Sequence, residues 1–173
     1  MKRFLSVIWI TALCAVTISS CKKSSSSTSS YYVKFNVNDS LVTWNYVVGE
    51  IGTDLQDSTK TDFGMNAVSK DTSTAIILSI QVNGKSLPTG TYESTNSSLV
   101  VFADFYTGYN SPAFVDYTID DASGMAPSTF TITISAITSK DMRGTFTGNY
   151  LYDFLSGKTV AVTNGEFFVP RLP

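Results

Sequence analysis

Residues 129–137 read TFTITISAI, and that order suits a strand and nothing else. Phe130, Ile132, Ile134 and Ala136 alternate with Thr129, Thr131, Thr133 and Ser135. Successive side chains of a strand point to opposite faces, so a period of two gathers the apolar set on one face. On a helix the same order would scatter it around the axis. The stretch is therefore expected to be a half-buried strand with one wet face of hydroxyls. The same short-run texture fills the chain from Tyr31 onward. Tyr31–Val37 alternates with Tyr31, Val33, Phe35 and Val37 on one side. Asn38-Asp39 offers a tight turn, and 41–48 (LVTWNYVV) reads as the return strand. Further strands are expected at 62–68, at 74–82 as the most apolar and central one, at a short run after Leu87–Tyr92, and at 99–106, 114–119, 129–137, 144–152 and 159–169. About nine or ten short strands with turn signals between them predict an all-β domain, an antiparallel β-sandwich or alternatively a small closed β-barrel. Helix is expected to amount to a turn or two at most, near Ser139-Lys140-Asp141.

The N-terminus has a different texture. Lys2 and Arg3 precede an uncharged run from Phe4 to Ile18, and Ser19 and Ser20 follow it. Fifteen residues fall short of the roughly 20 a spanning helix needs, but fit the core of a signal peptide. Residues 1–20 are read as that signal segment and 31–173 as a single domain. Between them, CKKSSSSTSS (21–30) has no apolar side chain to bury and reads as a tether with a reach of about 15–20 Å.

Ile18-Ser19-Ser20-Cys21 resembles the lipobox of bacterial lipoproteins. The resemblance implies cleavage before Cys21, with lipid on its thiol and an acyl chain on its new amine. Two or more chains hold a protein where one holds it only marginally. A second resemblance runs along the domain. TGTY (89–92), the strand at 129–137, RGTFTG (143–148) and VTNGEF (162–167) occur in an order similar to small uncharacterised lipoproteins of Bacteroidota. That likeness implies a fold and an address, not an activity. Lys22 departs from the aspartate that retains lipoproteins at the inner membrane, so the expected place is the outer membrane. Lys22-Lys23 also departs from the acids common after the cysteine in surface-displayed members, which leaves both the periplasmic and the extracellular face open.

Beyond the signal segment, ten basic side chains face fourteen acidic ones. Such a surface does not suit nucleic acid. Cys14 leaves with the signal segment, so the mature chain forms no internal disulfide. The chain has no histidine, which excludes Ser-His-Asp and Cys-His catalysis and most catalytic zinc sites. No cofactor is expected. Carboxylates remain: Asp104 and Asp116 are the pair that strands could aim into one cleft, as glycoside hydrolysis requires, with Asp120, Asp121, Asp153 and Glu166 as further acids. Asp120-Asp121-Ala122-Ser123-Gly124 lacks the alternating acids of a calcium loop and reads as an Asx turn.

Aromatic side chains carry the functional expectation. FYTGYN (105–110) places three rings around a glycine in an expected loop, and Tyr150, Tyr152 and Phe154 form a second group. Trp44 and Tyr46 are expected on one face of a strand. A flat apolar body with a polar tip suits stacking on sugar rings or partner surfaces. Tyr106, Tyr109, Trp44 and Tyr152 are the candidate ligand-binding residues, and Cys21 is the candidate lipid-attachment residue. The expected partners are the membrane, through lipid, and a glycan or an envelope protein. The expected role is a non-catalytic binding module. The alternatives are a carboxylate-dependent glycoside hydrolase and a structural subunit that adds a strand to a partner sheet.

Overall fold

The computed structural model describes residues 31–96, 99–108, 111–119, 129–153 and 155–172. The signal segment, Cys21 and the serine tether lie outside the described residues. Eleven strands occur among those described: β1 Tyr32–Val37, β2 Ser40–Trp44, β3 Tyr46–Thr53, β4 Lys60–Val68, β5 Thr74–Asn83, β6 Gly90–Glu93, β7 Val100–Thr107, β8 Val115–Thr118, β9 Phe130–Ile137, β10 Asp141–Tyr152 and β11 Thr159–Pro170. All strand pairs are antiparallel.

The sheet curls into a nearly closed barrel. Its order runs β11-β10-β8-β7-β5-β4-β3, and β3 returns to the end of β11 through a bridge from Gly49 to Arg171. Two flaps extend this ring: β1 and β2 continue from β11, while β9 and then β6 pair along the first half of β10. Closure leaves few free edges, which is how small all-β domains avoid pairing with one another. The tail takes part in the seam. The Leu172 amide donates to Gly49 O at 2.8 Å and the Arg171 amide to Lys140 O at 2.8 Å. Pro170 ends the ladder as its missing N–H requires, yet the two residues after it close the barrel.

Local chemistry accounts for several elements. Asn38 and Asp39 have φ of 46° and 66°, the two-residue turn whose twist matches a hairpin. The hairpin is tied to β11 by the Asn38 amide to Ala161 O (3.0 Å) and the Ala161 amide to Asn38 Oδ1 (2.9 Å). The stretch expected as one return strand breaks at Asn45, so Trp44 ends β2 and Tyr46 begins β3. The two rings do not share a face: Trp44 packs on the core, whereas Tyr46 is 62% exposed. Ser139-Lys140-Asp141 forms a hairpin turn, not helix. Thr138 Oγ1 accepts from the amides of Lys140 (3.1 Å) and Asp141 (2.9 Å).

The strand at 129–137 behaves as its alternation predicts up to Ile134. A register shift then places Arg143 opposite Ala136 but Gly144 opposite Ile134, so Ser135 is the extra residue. Such a bulge exchanges the faces beyond it. Ile137, not Ala136, is the next side chain packed on the core. A second bulge falls at Asn164, where φ is 53°.

The tightest packing joins β9, β10 and β11. Gly144 is paired with Phe167, Phe146 with Gly165, and Gly148 with Phe130. Those phenylalanines are at most 2% exposed. At each of the three glycines, an added Cβ would lie closer than 3.0 Å to the facing ring. These glycines do not adopt positive φ. Each is required because a ring lies flat on its backbone, the close-approach use of glycine in a strand.

Candidate functional site

The barrel has two distinct ends. The foot carries the start of β1, where Tyr32 pairs with Phe168, together with the β3–β4 and β9–β10 turns and the tail. The other end, the mouth, carries the β1–β2, β4–β5, β7–β8 and β10–β11 connections. At the mouth lies an open concavity of about 420 Å³, between the β1–β2 flap and the β4–β5 hairpin. Trp44, Phe105 and Tyr117 form an aromatic wall, with Val37, Val42 and Val160 beside it.

Packing fixes these rings. Trp44 and Phe105 lie nearly parallel, 7° apart with centroids at 6.4 Å. Tyr117 leans on Phe105 at 6.2 Å, and Phe35 supports Trp44 edge-on at 5.0 Å. Phe105 is 4% exposed, whereas Trp44 and Tyr117 are half-buried. The remaining lining is polar: Asn38, Ser69, Asp71, Ser73, Thr74 and Thr107. A few polar groups around an apolar floor is the usual composition of a small-molecule site.

The β4–β5 hairpin is built around Asp71. Its Oδ1 accepts from the Ser69 hydroxyl (2.6 Å), the Ser73 amide (3.1 Å) and the Ser73 hydroxyl (2.9 Å). Thr72 takes a φ of 60° to complete the turn. The Ser69 hydroxyl, then the Ser73 amide and hydroxyl, hold the Asp71 carboxyl below its ordinary range, so it is ionised at neutral pH.

A second cluster lies on the outer wall, the face turned away from the barrel core, with Asp104 and Thr118 buried there. Asp104 pairs with Thr118, Tyr106 with Asp116, and Tyr152 with Thr118, which places these side chains on one face of β7, β8 and β10. The expected acid pair is thus brought to adjacent strands. The Tyr106 hydroxyl donates to Asp104 Oδ2 at 2.7 Å, and its ring stacks on Phe114 at 5.6 Å. Burial, and then the charge of Asp153, push the Asp116 carboxyl up to about 6. Asp153 moves the other way. It accepts from the Ser156 hydroxyl and from the amides of Leu155 and Ser156, and the hydroxyl contributes most.

The sequence-derived site residues therefore separate. Trp44 lines the mouth. Tyr106 lies within β7 instead of a loop, and its ring faces the outer wall because Phe105 takes the inner side. Tyr152 joins Tyr106 on that wall. Tyr109, Phe154, Asp120, Asp121 and Cys21 lie outside the described residues. Glu166 is engaged by Lys34 (2.6 Å) and by the Tyr32 hydroxyl. Sequence reasoning missed Phe105 as part of the mouth, and also Tyr117 and Asp71. The alternation that puts Phe105 in register with Val101 and Ala103 was the available signal.

Elsewhere, Thr131, Thr133, Thr145 and Thr147 line a groove of about 400 Å³ with Asn164 and Glu166 on the outer face of β9–β11. It is the wet hydroxyl face that the alternation predicted. Among the described residues, no group of three or more acidic side chains is placed to hold a metal ion. Compared with family models, curated proteins and solved structures, the chain gives no match.

Proposed function

We propose that this chain is a lipid-anchored envelope protein whose barrel mouth binds a glycan without transforming it. The observation that carries the binding reading is the Trp44–Phe105–Tyr117 wall inside an open, polar-rimmed concavity. Rings that could have been sealed by packing instead border free space. Sugars present alternating apolar C–H faces and hydroxyls, and aromatic wall plus hydroxyl rim matches both.

The anchor reading rests on the Ile18–Cys21 pattern and the serine tether. Outer-membrane attachment follows the reading of Lys22. Replacing the anchor tests this part: Cys21→Ala is expected to move the protein from the membrane fraction to the soluble fraction. Retention in the membrane fraction would refute it.

The position of the acids supports the non-catalytic reading. Asp104 and Asp116 lie on the outer wall, across the sheet from the rings, whereas a glycosidase needs both carboxylates flanking the bound sugar.

The binding test is a glycan array probed with the wild-type protein and Trp44→Leu. Leucine fills much of the volume but offers no ring face. Binding is expected to fall about tenfold or more, since an aromatic hot spot is worth about 2 kcal/mol or more. Equal binding by both proteins would place the ligand elsewhere.

A further inference from the structure

Among the described residues, the lining of the mouth has one formally charged side chain, Asp71. The turn around it leaves its two oxygens unequal. All three hydrogen bonds to the carboxylate fall on Oδ1. Among the described residues Oδ2 takes none, and the side chain is exposed at the rim. A carboxylate fixed in this way meets a ligand as a preorganised acceptor, with little ordering left to lose on binding.

The neighbouring groups define what suits it. Asn38, Ser69, Ser73 and Thr107 offer neutral hydrogen bonding, and among the described residues no lysine or arginine lines the cavity. An acidic sugar would bring its charge against Asp71 with no cation to offset it. A ligand with an ammonium group meets the carboxylate at the rim and the faces of Trp44 and Tyr117 behind it, and aromatic faces also attract cations.

Resting on the reading of the mouth as a glycan site, we propose that it selects amino sugars with free, protonated amines, and that Asp71 is the residue that pairs with the ammonium. Specificity then comes from two separable parts. The rings supply ring-face contact to any hexose, and Asp71 adds preference for the amine over its acetylated or acidic counterparts.

The test uses the full-length chain in detergent at pH 6, where the sugar amine is protonated. Three probes of equal length are titrated: glucosamine oligomers, N-acetylglucosamine oligomers and galacturonate oligomers. The expected order is glucosamine first, N-acetylglucosamine weaker and galacturonate weakest. Asp71→Asn keeps an acceptor for the serine donors, and its melting temperature serves as the check on folding. It is expected to reduce affinity for glucosamine oligomers about tenfold, the scale of one charge-assisted contact, and to leave the N-acetylated probe unchanged. Equal affinity for the two hexosamine probes, with no effect of Asp71→Asn, overturns the amine preference while the mouth still binds sugar. Absence of binding by all three probes, or binding that Trp44→Leu does not reduce, overturns the glycan site and the amine preference with it.

Discussion

The β9–β10–β11 wall and the mouth draw on the same residue type and use it in opposite ways. In the wall, Phe130, Phe146 and Phe167 each lie over a paired glycine, so nothing of the ring is left over. At the mouth, no glycine receives Trp44 or Tyr117, and each keeps part of its surface beside a cavity. Aromatic content alone does not mark a binding surface. What lies opposite the ring decides whether its area is spent on folding or left for a ligand.

Gly144→Ala tests the closed side and carries the largest expected effect on stability. A methyl group there would collide with the Phe167 ring and with the Thr133 carbonyl. Overpacking of this kind costs about 1–3 kcal/mol or more. The backbone carbonyl cannot swing away as a side chain tip can, so the upper part of that range is expected in urea or thermal unfolding. A neutral outcome would mean that the wall is loosely packed and that the contrast with the mouth is false.

The next effect concerns β8, which sends Tyr117 to the mouth and Asp116 to the outer wall. Burial raises the Asp116 carboxyl to about 6, above its unfolded value, so the native state binds its proton more tightly. The stability this proton lends is present at pH 4 and is lost as pH rises toward and past 6. Asp116→Asn is expected to stabilise the protein by about 1–2 kcal/mol at pH 7.5, after allowance for partial exposure, and by much less at pH 4. Unfolding curves at both pH values check this. An unchanged difference across the range would show that the outer wall carries no buried charge penalty.

The smallest stability effect is expected on the open side. Trp44→Leu retains apolar volume against Phe35 and Phe105 and should cost less than about 1.5 kcal/mol, while ligand binding falls by the larger factor given above. If this substitution unfolds the protein, Trp44 belongs to the core as fully as Phe146 does, and the mouth loses its claim to be a site.

Much of the fold was legible in the chain. Period-two alternation, turn residues and apolar runs located the strands, because each depends on neighbours a few positions away. They also showed Asn38-Asp39 as a hairpin turn. The exclusion of histidine chemistry needed only composition. Which glycine each phenylalanine of β9–β11 lies over was not legible, since those pairings join residues of different strands.

The candidate site was less legible for the same reason. Phe105 and Tyr106 are adjacent in sequence, and alternation says only that they face opposite sides. Which side is the inside depends on pairing with β5 and β8 and on barrel closure. A one-position choice there moved the ring at the mouth from Tyr106 to Phe105 and set Tyr106 beside Asp104. Asp71 met Trp44 only because a flap of β1–β2 stands beside the β4–β5 hairpin without pairing to it. Strands and turns could be placed from the chain, because propensity and periodicity are local. The tertiary structure alone decided which rings border open space, because that depends on register and closure between segments distant in sequence.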